Sequence, residues 1–298
     1  MPDLPKRELG RTGLQVTTLG YGAMEIRDLP GRESTEEQAE RILNAVLDAG
    51  VNYIDTSIDY GLSEERIGRY ISHRRLEFYL ASKCGCAVGE AASGARAPHI
   101  FTAENVVAGV EQSLRRMKTD YLDVVQFHHS PSRAQLEEGG LDALQDLSRQ
   151  GKVRFIGMSG TMPNLPEQIE LGVFDVFQVP YSAVQREHES LIHQASEAGA
   201  GIVIRGGVAR GDPARERGGF WDKWQEVEID DLLNGMPRME FLLRFTVSNP
   251  DLDTTIVGTT NPQHLAQNVD ALLRGPLPTD LYEEAKRRLA AAGSAPAD

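Results

Sequence analysis

The sequence predicts an α/β protein with the (β/α)8 TIM-barrel architecture. Its 298 residues suit one such barrel, which typically needs about 250 residues. Short β-rich runs alternate with helical patterns almost to the end of the chain, as βα units around a parallel sheet do. No stretch rich in proline, glycine and serine is long enough to separate domains. We therefore expect a single domain over residues 1–298.

Eight runs are predicted as barrel strands, and they lead directly into a polar residue or a glycine. In chain order, they are residues 17–21, 51–54, 78–82, 124–127, 154–158, 175–177, 202–204 and 255–257.

The helices between these runs carry sequence signals for their first turns. Ser34 followed by Glu37 predicts a capping box at the start of the first helix. Ser63 and Thr102 are predicted N-caps of the next two helices, since their hydroxyls can accept hydrogen bonds from free backbone N–H groups. Pro262 fits the first turn of the helix after the eighth strand.

Two segments fall outside the repeat. Residues 7–16 are predicted to form a β-hairpin before the first barrel strand. Residues 211–236 form a long insertion after the seventh strand and contain Trp221 and Trp224. Because long loops in barrels are often functional, we expect this one to border the cleft as a lid.

Charge and composition exclude several classes of partner. The net charge of −13 disfavours nucleic acid and anionic membranes, whose binding depends on lysine and arginine. No run approaches the ~18 apolar residues of a membrane span, and the N-terminal residues show no signal-peptide pattern, so we expect a cytoplasmic protein. Cys84 and Cys86 do not make a disulfide framework. The sequence does not predict an oligomeric state.

The strand ends predict where the functional site lies. In a (β/α)8 barrel the active site is at the carboxyl ends of the strands, so the polar residues there should meet at one mouth. These residues are Asp55, Lys83, His128, Ser159, Gln178 and Arg205. Tyr60 follows the second strand, on the loop over that mouth.

Four of these residues suggest acid–base chemistry on a carbonyl. The phenol of Tyr60, with an ordinary pKa of about 10, would be a better acid if the ammonium of Lys83 lowered it. A buried Lys83 needs a carboxylate partner, which Asp55 supplies, and His128 can orient the carbonyl by a hydrogen bond. No side chain donates hydride, so a cofactor must supply it.

These residues lie within stretches that resemble the aldo-keto reductase family. The stretches are 53–61 (YIDTSIDYG), 63–65 (SEE), 81–83 (ASK), 113–117 (SLRRM), 120–123 (DYLD), 126–128 (QFH) and 256–268 (IVGTTNPQHLAQN). The resemblance covers essentially the whole chain. It implies a catalytic tetrad of Asp55, Tyr60, Lys83 and His128. It also implies hydride transfer between NAD(P)H and a small aldehyde, ketone or sugar carbonyl, or the reverse oxidation of an alcohol.

The resemblance also implies a cofactor site, with NADP(H) favoured and NAD(H) as the alternative. Its members would be Gly22, Met24, Asp55, Ser159, Gly160, Gln178, Arg205, Gly206, Val208, Arg210, Gly258, Thr259, Thr260, His264, Gln267 and Asn268. Gly258 and His264 stand where many members carry the lysine and arginine that hold the 2′-phosphate, and Arg210 is a substitute cation. Gly160 replaces the usual asparagine, and Arg205 replaces the tyrosine that stacks on nicotinamide.

The substrate pocket is predicted from residues near the strand ends. Its candidate members are Met24, Ile58, Tyr60, Cys84, His128, His129 and Trp221. We predict no metal centre, because neighbouring residues such as His128 and His129 on a strand point apart. Cys84 and Cys86 alone offer too few ligands.

Two other functions stay open at this level. The same fold could bind nucleotide without catalysis, as a redox-sensing regulatory subunit. Lys83 could instead form a Schiff base, as in a barrel aldolase.

Overall fold

A computed structural model describes residues 3–28, 33–88, 98–208 and 220–297 of the chain. It confirms the predicted barrel: eight parallel strands close into a ring, preceded by a two-stranded antiparallel sheet. That sheet is the predicted hairpin and pairs β1 (Lys6–Glu8) with β2 (Gln15–Thr17).

The barrel strands follow one another around the ring in chain order. They are β3 (Leu19–Gly22), β4 (Tyr53–Asp55), β5 (Tyr79–Cys84), β6 (Leu122–Phe127), β7 (Val153–Ser159), β8 (Val176–Pro180), β9 (Gly201–Arg205) and β10 (Thr254–Val257). The ring closes where β10 pairs with β3, with Ile256 opposite Gly20. The predicted first strand was wrong at its start, because Thr17 belongs to the hairpin and β3 begins at Leu19.

Helices surround the barrel. Those in the described part of the chain are α1 (Glu36–Asp48), α2 (Ser63–Tyr70), α3 (Ala103–Met117), α4 (Arg133–Leu136), α5 (Gly140–Arg149), α6 (Leu165–Glu170), α7 (Glu189–Glu197), α8 (Phe220–Glu226), α9 (Arg238–Ser248), α10 (Pro262–Leu273) and α11 (Thr279–Ala291). None of these described helices has the length and apolar character needed to cross a membrane.

The cap of α1 lies one residue later than predicted. Thr35 is the N-cap, and it forms the capping box with Gln38. Ser34 is buried instead, and its hydroxyl accepts a hydrogen bond from Nη1 of Arg66 at 2.7 Å. The prediction for Ser34 was wrong because this contact with α2 holds it away from the helix end.

Of the other predicted helix starts, one is wrong and two are confirmed. Ser63 lies inside the first turn of α2, and its Oγ donates to the carbonyl of Ala23 at 2.9 Å, so the predicted cap was wrong. Thr102 does cap α3, accepting from the N–H of Asn105. Pro262 occupies the first turn of α10, as predicted.

Side chains alternate between the inside of the barrel and the helix layer. Inside, Tyr53 and Val124 pack with Leu9 of the hairpin segment, which is fully buried. Outside, Ile54 and Leu80 join the larger cluster beneath the helices. The hairpin segment therefore fills the amino end of the barrel and leaves the carboxyl end for the site.

The predicted insertion is described only from residue 220 onward. Trp224 is fully buried, with its ring centroid 5.5 Å from that of Phe241 on α9. Its Nε1 donates to Oδ1 of Asp230 at 2.9 Å. Thus the described part of this segment packs onto α9.

Candidate active site

Alternation along the strands points the predicted residues into the barrel mouth. Asp55 is two residues after Tyr53, and Lys83 is two residues after Ala81, so each follows a residue of the inner cluster on the same face. His128 stands four residues after Val124 by the same rule. The predicted tetrad therefore comes together.

Lys83 and Asp55 form a buried ion pair. Nζ of Lys83 donates to Oδ1 of Asp55 at 2.6 Å and to the carbonyl of Thr56 at 2.7 Å. Burial by itself would lower the pKa of Lys83, but Asp55 and Tyr60 outweigh it, and the pKa is raised. Lys83 is therefore an ammonium, as the sequence argument requires.

Tyr60 lies against this ammonium. Nζ of Lys83 is 4.9 Å from the centroid of the Tyr60 ring. Burial raises the pKa of Tyr60 and outweighs the lowering by Lys83. The lowering expected from Lys83 is present, but desolvation of the phenolate exceeds it, so the pKa of Tyr60 is raised overall.

The second oxygen of Asp55 links the ion pair to the neighbouring strands. It accepts from Nε2 of Gln178 at 2.8 Å and from Nε2 of Gln126 at 3.1 Å. Oγ of Ser159 donates to Oε1 of Gln178 at 3.3 Å. A continuous chain of hydrogen bonds thus runs from Ser159 to Lys83.

Gln126 received no role in the sequence argument. Its signal was its inward register on β6, two residues after Val124 and two residues before His128. Gly157 on β7 makes room for it, because a Cβ at that position would stand 2.8 Å from Cγ of Gln126.

His128 is a neutral imidazole at the edge of Tyr60. The ring centroids are 6.0 Å apart, and the planes are nearly perpendicular at 78°. Burial, followed by the charge of Lys83, lowers the pKa of His128 well below its usual value. Nδ1 of His128 lies 3.0 Å from Sγ of Cys86, and 3.5 Å from both Oγ of Ser57 and Oδ1 of Asp59.

His129 does not point away from His128. Its backbone has a φ of 65°, in the left-handed region, which turns the side chain back over the mouth. The two ring centroids are 4.1 Å apart, and the ring of His99 lies 3.8 Å from that of His129. The assumption that neighbouring residues diverge fails here because β6 ends at Phe127.

Backbone packing explains one departure from the family pattern. A Cβ at Gly258 would lie 2.7 Å from the carbonyl oxygen of Gly22. A lysine therefore does not fit at position 258 without moving β3 or the loop after β10. Tyr21 secures the same loop, with its hydroxyl donating to the carbonyl of Thr259 at 2.9 Å.

Packing also explains the glycine at position 160. A Cβ there would be 2.7 Å from Cδ1 of Leu165 and 2.9 Å from Oε1 of Gln168. Gln168 is buried and donates to the carbonyl of Pro131 at 2.7 Å. An asparagine would have to displace these two buried side chains, and Gly160 itself offers only backbone groups.

The other cofactor candidates lie around the mouth or on α10. Arg205, Val208 and Met24 are half-buried, Gly206 is exposed with a φ of 74°, and Asn268 is buried. His264 and Gln267 are exposed on α10, while Thr260 is half-buried just before it. Arg210 lies outside the described residues.

Three of the substrate candidates are buried. Cys84 is fully buried in the cluster between barrel and helices, so the pocket prediction for it was wrong. Ile58 is likewise buried and packs against Gly109 of α3, where a Cβ would lie 3.3 Å from Cδ1 of Ile58. Trp221 is buried with its ring centroid 5.5 Å from that of Trp224, and its role at the substrate stays a prediction.

Residues 18–216 match the model of the aldo/keto reductase family. The chain belongs to this family. In overall structure it is similar to the holo form of an aldo-keto reductase from Bacillus halodurans, with a TM-score of 0.85, 26% identity and coverage of 99% of this chain and 97% of that one.

Two curated relatives show the same breadth of similarity. The uncharacterized oxidoreductase YqkF of Bacillus subtilis is 25% identical, over 89% of this chain and 90% of its own. The L-galactose dehydrogenase of Arabidopsis thaliana is also 25% identical, over 91% of this chain and 89% of its own. The protein is thus an oxidoreductase of the aldo/keto reductase family, whose members use nicotinamide cofactors.

Proposed function

We propose that this protein reduces a small aldehyde, ketone or sugar with NAD(P)H, and that Tyr60 donates the proton. The supporting observation is the buried ion pair of Lys83 and Asp55 beneath the Tyr60 ring, with a neutral His128 beside it. A phenol between an ammonium and an imidazole suits an oxygen that gains negative charge.

The residues at the mouth fit a nicotinamide dinucleotide. Ser159 and Gln178 offer hydroxyl and amide groups in the chain that leads to Lys83. Gly22 and Gly258 leave bare backbone between β3 and the start of α10. Backbone N–H groups at a helix start favour phosphate.

The described residues predict a modest preference between the two cofactors. Position 258 is a glycine and offers no cation to a 2′-phosphate. Of the two family positions that hold this phosphate, only His264, near the start of α10, carries a side chain. A helix terminus contributes about 0.3–1 kcal/mol to anion binding, whereas a tenfold affinity ratio needs about 1.4 kcal/mol. We therefore propose that NADPH binds better than NADH by less than about tenfold.

The protein's own groups carry the proton chemistry. When bound, the cofactor supplies the hydride. Tyr60 gives its proton to the carbonyl oxygen, while Lys83 stabilises the resulting phenolate and Asp55 keeps Lys83 charged. Oxidation of an alcohol uses the same groups in reverse.

His128 needs a hydrogen on Nε2 to donate to the substrate. Burial raises the pKa of the Cys86 thiol, so this group keeps its proton and can donate it to Nδ1 of His128 at 3.0 Å. The Ser57 hydroxyl is directed to Asp59 at 2.5 Å and does not compete. A neutral ring that accepts at Nδ1 carries its hydrogen on Nε2.

The mouth favours a hydroxylated carbonyl compound. Asp59 and His129 are exposed there and can bind hydroxyl groups. The name of the relative L-galactose dehydrogenase agrees with such a substrate.

The aldolase alternative fits Lys83 less well. A lysine that forms a Schiff base needs a lowered pKa, but the pKa of Lys83 is raised and its Nζ is held by Asp55 and Thr56.

The test is Tyr60→Phe, measured both by turnover of simple aldehydes and sugars and by fluorescence titration with NADPH and NADH. We expect kcat to fall by about 10²–10⁴, the usual contribution of a general acid, with both dissociation constants unchanged. Tyr70→Phe is the matched control, because its hydroxyl donates to Glu36 at the start of α1 and to no residue of the tetrad.

Each alternative has its own outcome. Turnover that survives in Tyr60→Phe rejects Tyr60 as the proton donor. Cofactor binding without turnover in the wild type favours the redox-sensing subunit. Absence of binding to either nucleotide rejects hydride transfer, and trapping of Lys83 by borohydride would then support the aldolase.

A further inference from the structure

At the edge of the tetrad, the structure gathers three nitrogen and sulfur ligands, one of which is His128 of the tetrad itself. A ligand atom from each of Cys86, His99 and His128 lies within 4.8 Å of the other two. We propose that these three side chains bind a divalent cation of the zinc class. The proposal does not rest on the proposed function, because it concerns binding to the free protein.

The backbone holds two of the ligands side by side. Cys86 and His99 face each other across an isolated antiparallel bridge. The N–H of Ala87 donates to the carbonyl of Pro98 at 3.0 Å, and the N–H of Ile100 donates to the carbonyl of Gly85 at 2.7 Å. Directly opposed residues place their side chains on the same face, within about 5 Å of each other.

Asn105 of α3 fastens this bridge to the barrel. Its Nδ2 donates to the carbonyls of Cys86 at 3.0 Å and of Ile100 at 2.8 Å, and its Oδ1 accepts from the N–H of Val88 at 3.2 Å. All three bonds go to backbone groups, so the ligands are positioned before any cation arrives. Such preorganisation reduces the ordering cost of binding.

The third ligand comes from the end of β6. The N–H of His128 donates to the carbonyl of Cys84 at 3.0 Å, which ties it to the strand that leads to Cys86. Sγ of Cys86 is 3.0 Å from Nδ1 of His128. A tetrahedral zinc ion needs about 3.5 Å between such atoms, so a small outward movement suffices.

The ligand types select the cation. One sulfur and two imidazoles suit Zn²⁺ or Co²⁺, whereas Mg²⁺ and Ca²⁺ require oxygen. Three protein ligands leave a fourth position for water. Oδ1 of Asp59, 3.5 Å from Nδ1 of His128, supplies negative charge nearby. The thiol proton leaves to solvent as the cation binds.

The experiment is a Co²⁺ titration of the reduced full-length protein, followed by absorbance and then by displacement with Zn²⁺. We expect one equivalent of Co²⁺ to produce the near-ultraviolet band of a cobalt–thiolate bond, and Zn²⁺ to remove it. The readout involves neither cofactor nor turnover. Its failure is therefore distinct from failure of the reductase proposal.

Matched variants test the assignment. Cys86→Ser should abolish the band. His99→Asn should weaken Co²⁺ binding by at least about tenfold, because loss of a ligand costs no less than loss of a residue that supports one. Cys84→Ser and His193→Asn should leave the band and the Co²⁺ affinity unchanged, since Cys84 lies beneath the helices and His193 is exposed on α7. Circular dichroism verifies that each variant is folded. If Cys86→Ser disturbs the core, His99→Asn still tests the site, because His99 is only half-buried.

The opposite pattern overturns the proposal. Absence of the band in the wild type would do so, as would a band that persists in Cys86→Ser or disappears in Cys84→Ser. Equal weakening by His99→Asn and His193→Asn would show surface binding only.

Discussion

Burial and neighbouring charges together set the protonation of Lys83, His128 and Tyr60 at the barrel mouth. Lys83 stays charged because Asp55 lies 2.6 Å away, while His128 is kept neutral by desolvation and by the positive charge of Lys83. Tyr60 keeps its proton because burial raises its pKa above the ordinary value. The three groups are thereby in the states that the proposed carbonyl reduction requires.

These pKa directions predict the pH dependence of reduction. Tyr60 acts as an acid while protonated, so activity is lost only as pH rises through a pKa that lies above about 10. His128 becomes charged only well below its usual pKa. We therefore expect kcat/KM for reduction to be flat from about pH 6 to about pH 9.

The measurement is kcat/KM against pH with a saturating cofactor, with circular dichroism as a check on the fold. An alkaline decline centred below about pH 9, or an acid decline centred near the ordinary histidine pKa of about 6.5, would contradict this assignment.

At the scale of elements, the packing of α2 on α3 positions the loop that carries Tyr60. A Cβ at Gly68 would lie 2.0 Å from the carbonyl oxygen of Arg116, so the two helices meet through a glycine. Glu64, on the same helix, accepts from Ser82 at 2.8 Å and from Ser113 at 2.6 Å. α2 begins three residues after Tyr60, so a shift of this helix moves the proposed acid.

Gly68→Ala tests this coupling. We expect the free energy of unfolding to fall by about 1–3 kcal/mol, as overpacking does. We also expect kcat to decrease by up to about 10²-fold, because small misplacements of catalytic groups are costly. Urea unfolding and steady-state kinetics measure the two effects.

Gly109→Ala on α3 is the control. Its nearest contact is a side-chain carbon of Ile58 at 3.3 Å, which can yield, so both quantities should change little. Wild-type behaviour of Gly68→Ala would show that the helices separate without moving the loop.

The whole molecule separates its stabilising end from its active end. Leu9 is fully buried with Val124 and Val203 at the amino end of the barrel. Arg7 ties the hairpin to α9 and the segment after it, with its guanidinium donating to the carbonyls of Val247, Asn249 and Leu252. The tetrad is at the opposite end, as in other barrels.

Leu9→Ala should therefore lower stability without changing activity. We expect a loss of about 2–5 kcal/mol in the free energy of unfolding, typical of a buried leucine, with kcat and the cofactor dissociation constant unchanged at 25 °C. Leu76→Ala is the control, since that leucine is 92% exposed. A changed kcat in folded Leu9→Ala would mean that the two ends are coupled.

The sequence by itself determined the barrel and most of the polar residues at its mouth. Period-two alternation and the rule that sites lie at strand ends are local signals, and they suffice to place Asp55, Lys83, Ser159 and Gln178. The hairpin was predictable for the same reason. Gln126 had the same register and was missed only because no chemistry required it.

The tertiary structure alone decided the remaining features, because they depend on distant segments and on desolvation. The left-handed turn at His129 and the bridge between Cys86 and His99 bring imidazoles together that no spacing rule connects. The clash behind Gly258 involves the backbone of Gly22, from the other end of the chain. Burial, which is a property of the whole fold, raises the pKa of Tyr60 against the pull of its neighbouring ammonium.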